Sequence, residues 1–196
     1  MSSEFTLEAT ARTDLGKGAS RRLRRLENRV AGIVYGANQD PAPISFANNH
    51  IVKLTESEAF FTSLVSLKLD GKDEQVVVKD LQRHPATNAV MHVDFLRVDT
   101  NTKIVMHVPL HFINVDKCPG VKVQGGIFSQ AVTDLEVSCL PSALPEYIEV
   151  DMGAINSGEN VHISDLTLPE GVVSVALSHG ADHDLLVNDA AVYNCA

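Results

Sequence analysis

The 196-residue sequence predicts a mainly β protein of two domains, a small N-terminal β-barrel carrying one basic helix and a second β-rich domain. Three observations carry this reading. Apolar residues alternate over short runs separated by Gly, Pro and Asn/Asp turns, the pattern of half-buried strands. One prominent segment, "SRRLRRLEN", has helical rather than alternating spacing. Charge also divides the chain: residues 1–98 hold 13 Lys+Arg against 12 Asp+Glu, and residues 99–196 hold 3 against 13. Such asymmetry marks two domains with different partners.

The elements follow in order. "FTLEATAR" sends Phe5, Leu7, Ala9 and Ala11 one way and Thr6, Glu8, Thr10 and Arg12 the other, a half-buried strand. "GKG" reads as a loop, Ser20 as a helix N-cap, and the helix runs to about Asn28. "VAGIVYG" is a strand ending at Gly36, "NQDPAP" a turn and "ISF" a short strand. Asn48 or Asn49 caps a short helix through "HIVKLTESE". "SLVSLKLDGKDEQVVVKDLQR" is a hairpin about Asp70-Gly71, and "VMHVDFLRV" a strand with His92 and Asp94 on one face.

The second half carries "IVMHVPLHFINV", "GIFSQAVTDLEVSCL", "YIEVDM", "NVHISDL" and "GVVSVAL" as strand-rich segments, separated by prolines and glycines. "DTNTK", residues 99–103, is the expected boundary. It separates domains at 1–98 and 104–178, with 179–196 as a tail to which no element is assigned. No run approaches the roughly 20 apolar residues that span a bilayer. "MSSEFTLEATAR" lacks the basic start and apolar run of a signal peptide. The expectation is a soluble, cytoplasmic protein without membrane partners. Cys118, Cys139 and Cys195 are too few and too widely spaced for a disulfide framework or a CxxC metal site.

Residues 12–29 concentrate the positive charge. Arg12, Lys17, Arg21, Arg22, Arg24, Arg25 and Arg29 face only Asp14 and Glu27. Drawn as a helix, the five arginines from Arg21 onward fall in an arc of about 160°, with Leu23 and Leu26 opposite, ready to dock on the barrel. Like charges at i, i+3 and i+4 repel. Arg21 and Arg22 also fall at the positive end of the helix dipole on this reading. An anion reverses both penalties, and fork-shaped guanidinium groups grip phosphates. The segment therefore points to nucleic acid. A Walker-type loop needs a pattern that "GKGAS" does not supply. A membrane-surface helix needs a broader apolar face, and no dimeric DNA-recognition element is evident.

Several motifs, in order and spacing, resemble the bacterial large-subunit ribosomal proteins that bind 5S ribosomal RNA ("L twenty-five"), in the long form called Ctc or general stress protein. The N-terminal motifs are "GKGASRRLRR", "GIVYG", "VKDLQRHP" and "MHVDFLRV". "VPLHF", "PGVKVQGGIF", "LEVSCLPSALPEYIEVD" and "VHISDLTLPEGV" resemble the C-terminal extension, so the likeness reaches about residue 175. The resemblance implies a six-stranded barrel docking on 5S RNA. It places RNA contacts on Arg12, Lys17, Ser20, Arg21, Arg22, Arg24, Tyr35, Lys79, His92 and Asp94. Arg and Lys would hold phosphates, Ser20 and Asp94 riboses or bases, and Tyr35 and His92 would stack or bond in the shallow minor groove. Val30 replaces a proline frequent in the family. Lys79 stands where some members have Gln, which favours phosphate over base contact.

The implied role is a structural, non-enzymatic component of the large ribosomal subunit, monomeric and in contact with 5S RNA and neighbouring ribosomal proteins. The alternative is a stress factor that joins ribosomes conditionally. An RNA-processing enzyme would need an acid–base or metal constellation. The pair His107 and His111 and the cluster His179, Asp182, His183 and Asp184 match no zinc or facial-triad signature, so no metal or cofactor is expected.

Overall fold

The computed structural model describes residues 5–99, 102–119, 129–153, 160–180 and 184–189. The chain divides into two units, Met1–Thr102 and Lys103–Ala196. In the first, β1 (Phe5–Ala11), β2 (Arg29–Gly36), β3 (Gln39–Ala47), β4 (Val65–Leu69), β5 (Lys72–Arg83) and β6 (Val90–Arg97) close into a six-stranded barrel of order β1-β3-β2-β6-β5-β4. Two parallel pairs complete it, β1 with β4 and β2 with β6. Helices α1 (Lys17–Leu26), α2 (Asn48–Leu54) and α3 (Ala59–Thr62) lie between strands. Closure removes every edge strand, and the interior fills with side chains from alternate positions. Leu7, Val34, Ile44, Phe46, Leu67 and Phe95 are all inaccessible to solvent. Phe46 and Phe95 meet edge to face at 6.0 Å.

The turns are set by residues that accept a positive φ. Gly36 pairs with Gln39, and the two residues between, Ala37 and Asn38, have φ of 52° and 53°. Positive φ at both central positions marks the turn whose twist suits a hairpin. The expected turn "NQDPAP" is therefore mostly strand: Pro41 and Pro43 lie within β3. Pro43 donates nothing to the ladder but its carbonyl accepts from Arg12 N (3.0 Å). Asp70-Gly71 forms the anticipated hairpin turn, with φ of 47° and 86°. The second helix begins at Asn48 with Ala47 at its N-cap, so neither asparagine side chain caps it.

One charged side chain belongs to the barrel interior. Arg97 continues the inward column of Val93 and Phe95 and is 8% exposed. Its Nε donates to Glu74 Oε2 on β5 (2.8 Å) and an Nη to the Asp40 carbonyl on β3 (3.3 Å). A buried arginine with both partners met joins three strands at the barrel's end.

The second unit is β-rich and open. A four-stranded sheet has the order β10 (Ile148–Asp151), β7 (Ile104–Ile113), β9 (Asp134–Cys139), β12 (Val173–Ser174). A smaller sheet joins β11 (Asn160–His162), β13 (Leu186–Asp189) and β8 (Ser129–Gln130). "GVVSVAL" gives only the two-residue β12, then a helical turn α4 (Val175–Ser178) capped by the Ser174 hydroxyl. The segment assigned no element supplies β13, because Val187 is fully buried between its neighbours. Cys118 and Cys139 are buried thiols outside any disulfide, and burial pushes the Cys139 thiol up. Cys195 and the segment 120–128 lie outside the described residues.

Replacing Arg97 with Met should leave the Glu74 carboxylate half-buried without its partner. Urea unfolding of the full chain is expected to show a loss of about 3 kcal/mol, and the double variant with Glu74→Gln should recover part of it.

Candidate nucleic-acid interface

The basic segment becomes helix α1 one residue after Gly16, whose φ of 93° turns the chain out of β1. The helix starts at Lys17, not after Ser20, and Gly16 occupies the N-cap position with no side-chain cap. This corrects two expectations. Ser20 lies inside the helix, where its Oγ accepts from an Arg12 Nη (3.3 Å). Arg21 and Arg22 stand in the second turn, so the dipole opposes Lys17 instead, while Arg24 and Arg25 occupy the last turn where it favours them. Mutual repulsion survives, since α1 holds no acidic side chain.

The docked face also differs from the expected one. Ala19, Ser20, Leu23 and Arg24 are half-buried, whereas Leu26 is 79% exposed. The buried arc centres between Leu23 and Ser20, which leaves Leu26 on its flank in the final turn. Arg24 is drawn inward on the other flank, and its Nη donates to the Met91 carbonyl on β6 (3.2 Å). Lys17, Arg21, Arg22 and Arg25 remain exposed. Arg29 is not on the helix at all. It opens β2, and its guanidinium donates to Thr10 Oγ1 (2.7 Å), the Ser45 carbonyl (2.8 Å) and Ser45 Oγ (3.2 Å).

Arg12 follows directly after β1, beside the helix. Besides Ser20, it donates to the Asp14 carbonyl (3.4 Å), and its Nε is buried with no hydrogen-bond partner. A cleft of about 480 Å³ between β1 and α1 is lined by Arg12, Arg29, Thr10, Glu27 and Ser45, among others.

The remaining residues sit on the barrel's outer wall. β2 and β6 run parallel with Ala31 opposite His92, Ile33 opposite Asp94 and Tyr35 opposite Leu96. Alternation therefore turns Tyr35, His92 and Asp94 to one surface. His92 Nδ1 donates to Asp94 Oδ1 (2.6 Å), as their spacing anticipates. Lys79 is exposed and is the extra residue in a bulge of β5, between the pairs Val78–Phe95 and Asp80–Asp94. The bulge puts Asp80 across from Asp94 and Gln82 across from His92. Sequence reading missed these two. Three successive buried valines, Val76 to Val78, hide the strand's phase, and the bulge then resets it.

The structure thus ties Arg12 to Ser20, Arg24 to the residue before His92, and His92 to Asp94. Lys17, Arg21 and Arg22 present their charges outward on the same helix. Among the described residues no group of His, Cys, Asp or Glu has metal-site geometry. His107 pairs with Asp134 (2.9 Å) and His111 stacks on Tyr147, while Asp182 and His183 lie outside the described residues.

The Tyr35 phenol is held above its ordinary range, first by burial and then by the negative charges of Asp94 and Asp80. It is accordingly neutral and a hydrogen-bond donor at physiological pH. A raised acid in the folded state lends stability that is full below pH 10 and lost as pH rises through the folded value. The alkaline absorbance titration of the native chain, minus that of Tyr35→Phe, should show a midpoint above 10, and Asp94→Asn should lower it.

The sequence model of the Ribosomal L25p family matches residues 7–95, and that of the Ribosomal protein TL5 C-terminal domain matches residues 103–188. Relatives named large ribosomal subunit protein bL25 are similar over nearly the whole chain. The protein from Cellvibrio japonicus is 54% identical, covering 95% of this chain and 92% of the relative. That from Alcanivorax borkumensis is 53% identical over 94% and 86%. That from Marinobacter nauticus is 51% identical over 95% and 88%. One family matches each unit and half the residues are shared across both, so the chain belongs to the bacterial L25 family of ribosomal proteins.

Proposed function

We propose that the chain binds 5S ribosomal RNA as part of the large ribosomal subunit, through α1 and the adjoining outer wall of the barrel. Membership in a ribosomal protein family makes the role structural and non-enzymatic. The relatives' name supplies the large subunit as the assembly. The observation that carries the RNA reading is the exposed, single-sign face of α1, with Lys17, Arg21, Arg22 and Arg25 outward and no carboxylate in the helix.

Phosphates satisfy that face and release counterions. Arg12 and Lys79 would extend the grip on the backbone. Tyr35, His92, Asp94 and Ser20 offer a ring, an imidazole, a carboxylate and a hydroxyl to riboses and base edges in a shallow minor groove. The bonds already made in the free chain divide the labour. Arg24, bound to the Met91 carbonyl, holds the helix in place as much as it offers charge, and Arg29 is committed to Thr10 and Ser45. Residues 1–98 form the proposed RNA-binding domain. The acidic second domain is not expected to touch RNA backbone. Residence in the cytoplasm follows from the proposed assembly, as does a single copy of the chain per ribosome.

Binding of the full chain to 5S RNA should weaken steeply with salt, with log K falling about 0.7–0.9 per phosphate neutralised. Arg21→Ala and Arg22→Ala, both on the exposed face, should each flatten the slope by about that amount without altering thermal unfolding. Unchanged binding in the double variant would refute the assignment. If ribosome occupancy rose only in stressed cells, the conditional stress-factor role would be favoured instead.

A further inference from the structure

The second unit carries a feature that RNA binding does not use. On the open four-stranded sheet, β7 and β10 run parallel with Glu149 opposite His111 and Asp151 opposite Ile113. These side chains face away from the buried column of Leu110, Ile148 and Val150. Tyr147, which precedes β10, stacks on the His111 ring at 4.6 Å and 11°. Even so, Tyr147 is 43% and Ile113 38% exposed. The result is an aromatic and aliphatic patch bordered by carboxylates, at the edge of its sheet.

The border is mainly acidic. On the neighbouring strand the outward Asp134 and Glu136 stand across from Pro109 and His107, and Asp134 pairs with His107. Asp151 is held ionised: the Asn114 side chain (2.8 Å) and the Gly153 N–H (2.9 Å) donate to Oδ1 and keep its carboxyl below the usual range. Lys117 is a cation beside Asp151, with its Nζ on Asn114 Oδ1 (3.3 Å). On the other side of β10 a cleft of about 340 Å³ is lined by Glu149, Asp151, Asp165 and Leu166, among others. Its size admits a long side chain and its lining asks for a cation.

We infer that the Tyr147–Glu149–Asp151 column, with His111 and Ile113 beside it, docks an arginine-bearing basic segment of another protein. A guanidinium stacks on an exposed aromatic face and offers a fork to a carboxylate, which an ammonium does not. The aliphatic stem of the same side chain covers apolar surface such as Ile113. Phosphate-rich RNA is repelled by these carboxylates. An aromatic anchor inside a polar rim is the composition of a protein interface.

The test titrates the full isotope-labelled chain with nona-arginine and nona-lysine peptides, followed by NMR shifts at about 50 mM and about 300 mM salt. Shift changes should centre on β10 and the C-terminal half of β7. Nona-arginine should bind about threefold to fivefold more tightly than nona-lysine. Tyr147→Ala should abolish that preference, Tyr147→Phe should keep it, and Glu149→Gln on the exposed strand should weaken both peptides. The inference is overturned by shifts centred elsewhere, by equal affinity for the two peptides, or by indifference to Tyr147→Ala and Glu149→Gln. It is also overturned if a random-sequence RNA perturbs the same residues, or if sedimentation shows the face binding a second copy of this chain.

Discussion

The parallel seam between β2 and β6 is the constraint on which the N-terminal unit depends. It requires a close approach at Gly32, where an added Cβ would lie 2.8 Å from the Phe46 ring and 2.8 Å from the Val93 carbonyl. Phe46 in turn meets Phe95 at the barrel centre, so a side chain there would disturb three strands together. With the seam closed in this register, Tyr35, His92 and Asp94 share the outer wall and Val34, Val93 and Phe95 the interior. A slip of one residue would exchange the two sets. Helix α1 lies along β2, and the Arg24 bond to the Met91 carbonyl fixes it against β6. A single pairing therefore sets both the core and the position of the charged helix relative to His92.

The outer wall is not uniformly basic, which sharpens the proposed reading. Asp94 and Asp80 face each other across β6 and β5, and Asp94 is already bonded to His92. A carboxylate near a nucleic acid repels phosphates and accepts only from amino groups and hydroxyls. On the proposed reading the helix would supply attraction that is largely indifferent to sequence, and the strand residues would supply conditions that a nucleic acid must meet. The Tyr35 phenol, raised first by burial and then by the same two carboxylates, would fit the second role as a hydrogen-bond donor.

Much of this was legible beforehand, and the failures have physical causes. Alternation found β1, β6, the Asp70-Gly71 hairpin and the His92–Asp94 pair, since each lies on a strand with one buried face. It failed at β3, where the positive φ of Ala37 and Asn38 allowed a turn shorter than the prolines implied. The helical wheel was right about Arg21, Arg22 and Arg25 but wrong about Leu26, Arg24 and Arg29. A wheel does not say where a helix stops, and α1 stops at Leu26. Arg97 reads as a charge on an alternating strand, and only its contacts with Glu74 and Asp40 explain why it points inward. The acidic patch around Tyr147 was hidden because register with β7, not sequence, brings Glu149 to His111.

Overall charge is a poor guide to partners in such a chain. The formal net charge of −9 would by itself argue against nucleic acid. Charges more than about 8 Å apart are largely screened at physiological ionic strength, so a bound polyanion responds to the surface it touches. On the first unit that surface is α1, from which acidic side chains are absent. On the second it is a sheet face whose outward strand residues include Asp134, Glu136, Glu149 and Asp151. The two surfaces of opposite sign belong to different units. On the proposed readings, each would select its own class of partner, and the carboxylates of the second would deter the phosphates that the first is proposed to attract. An acidic protein keeps a basic face here because its excess negative charge lies in the second half of the chain and none of it in α1.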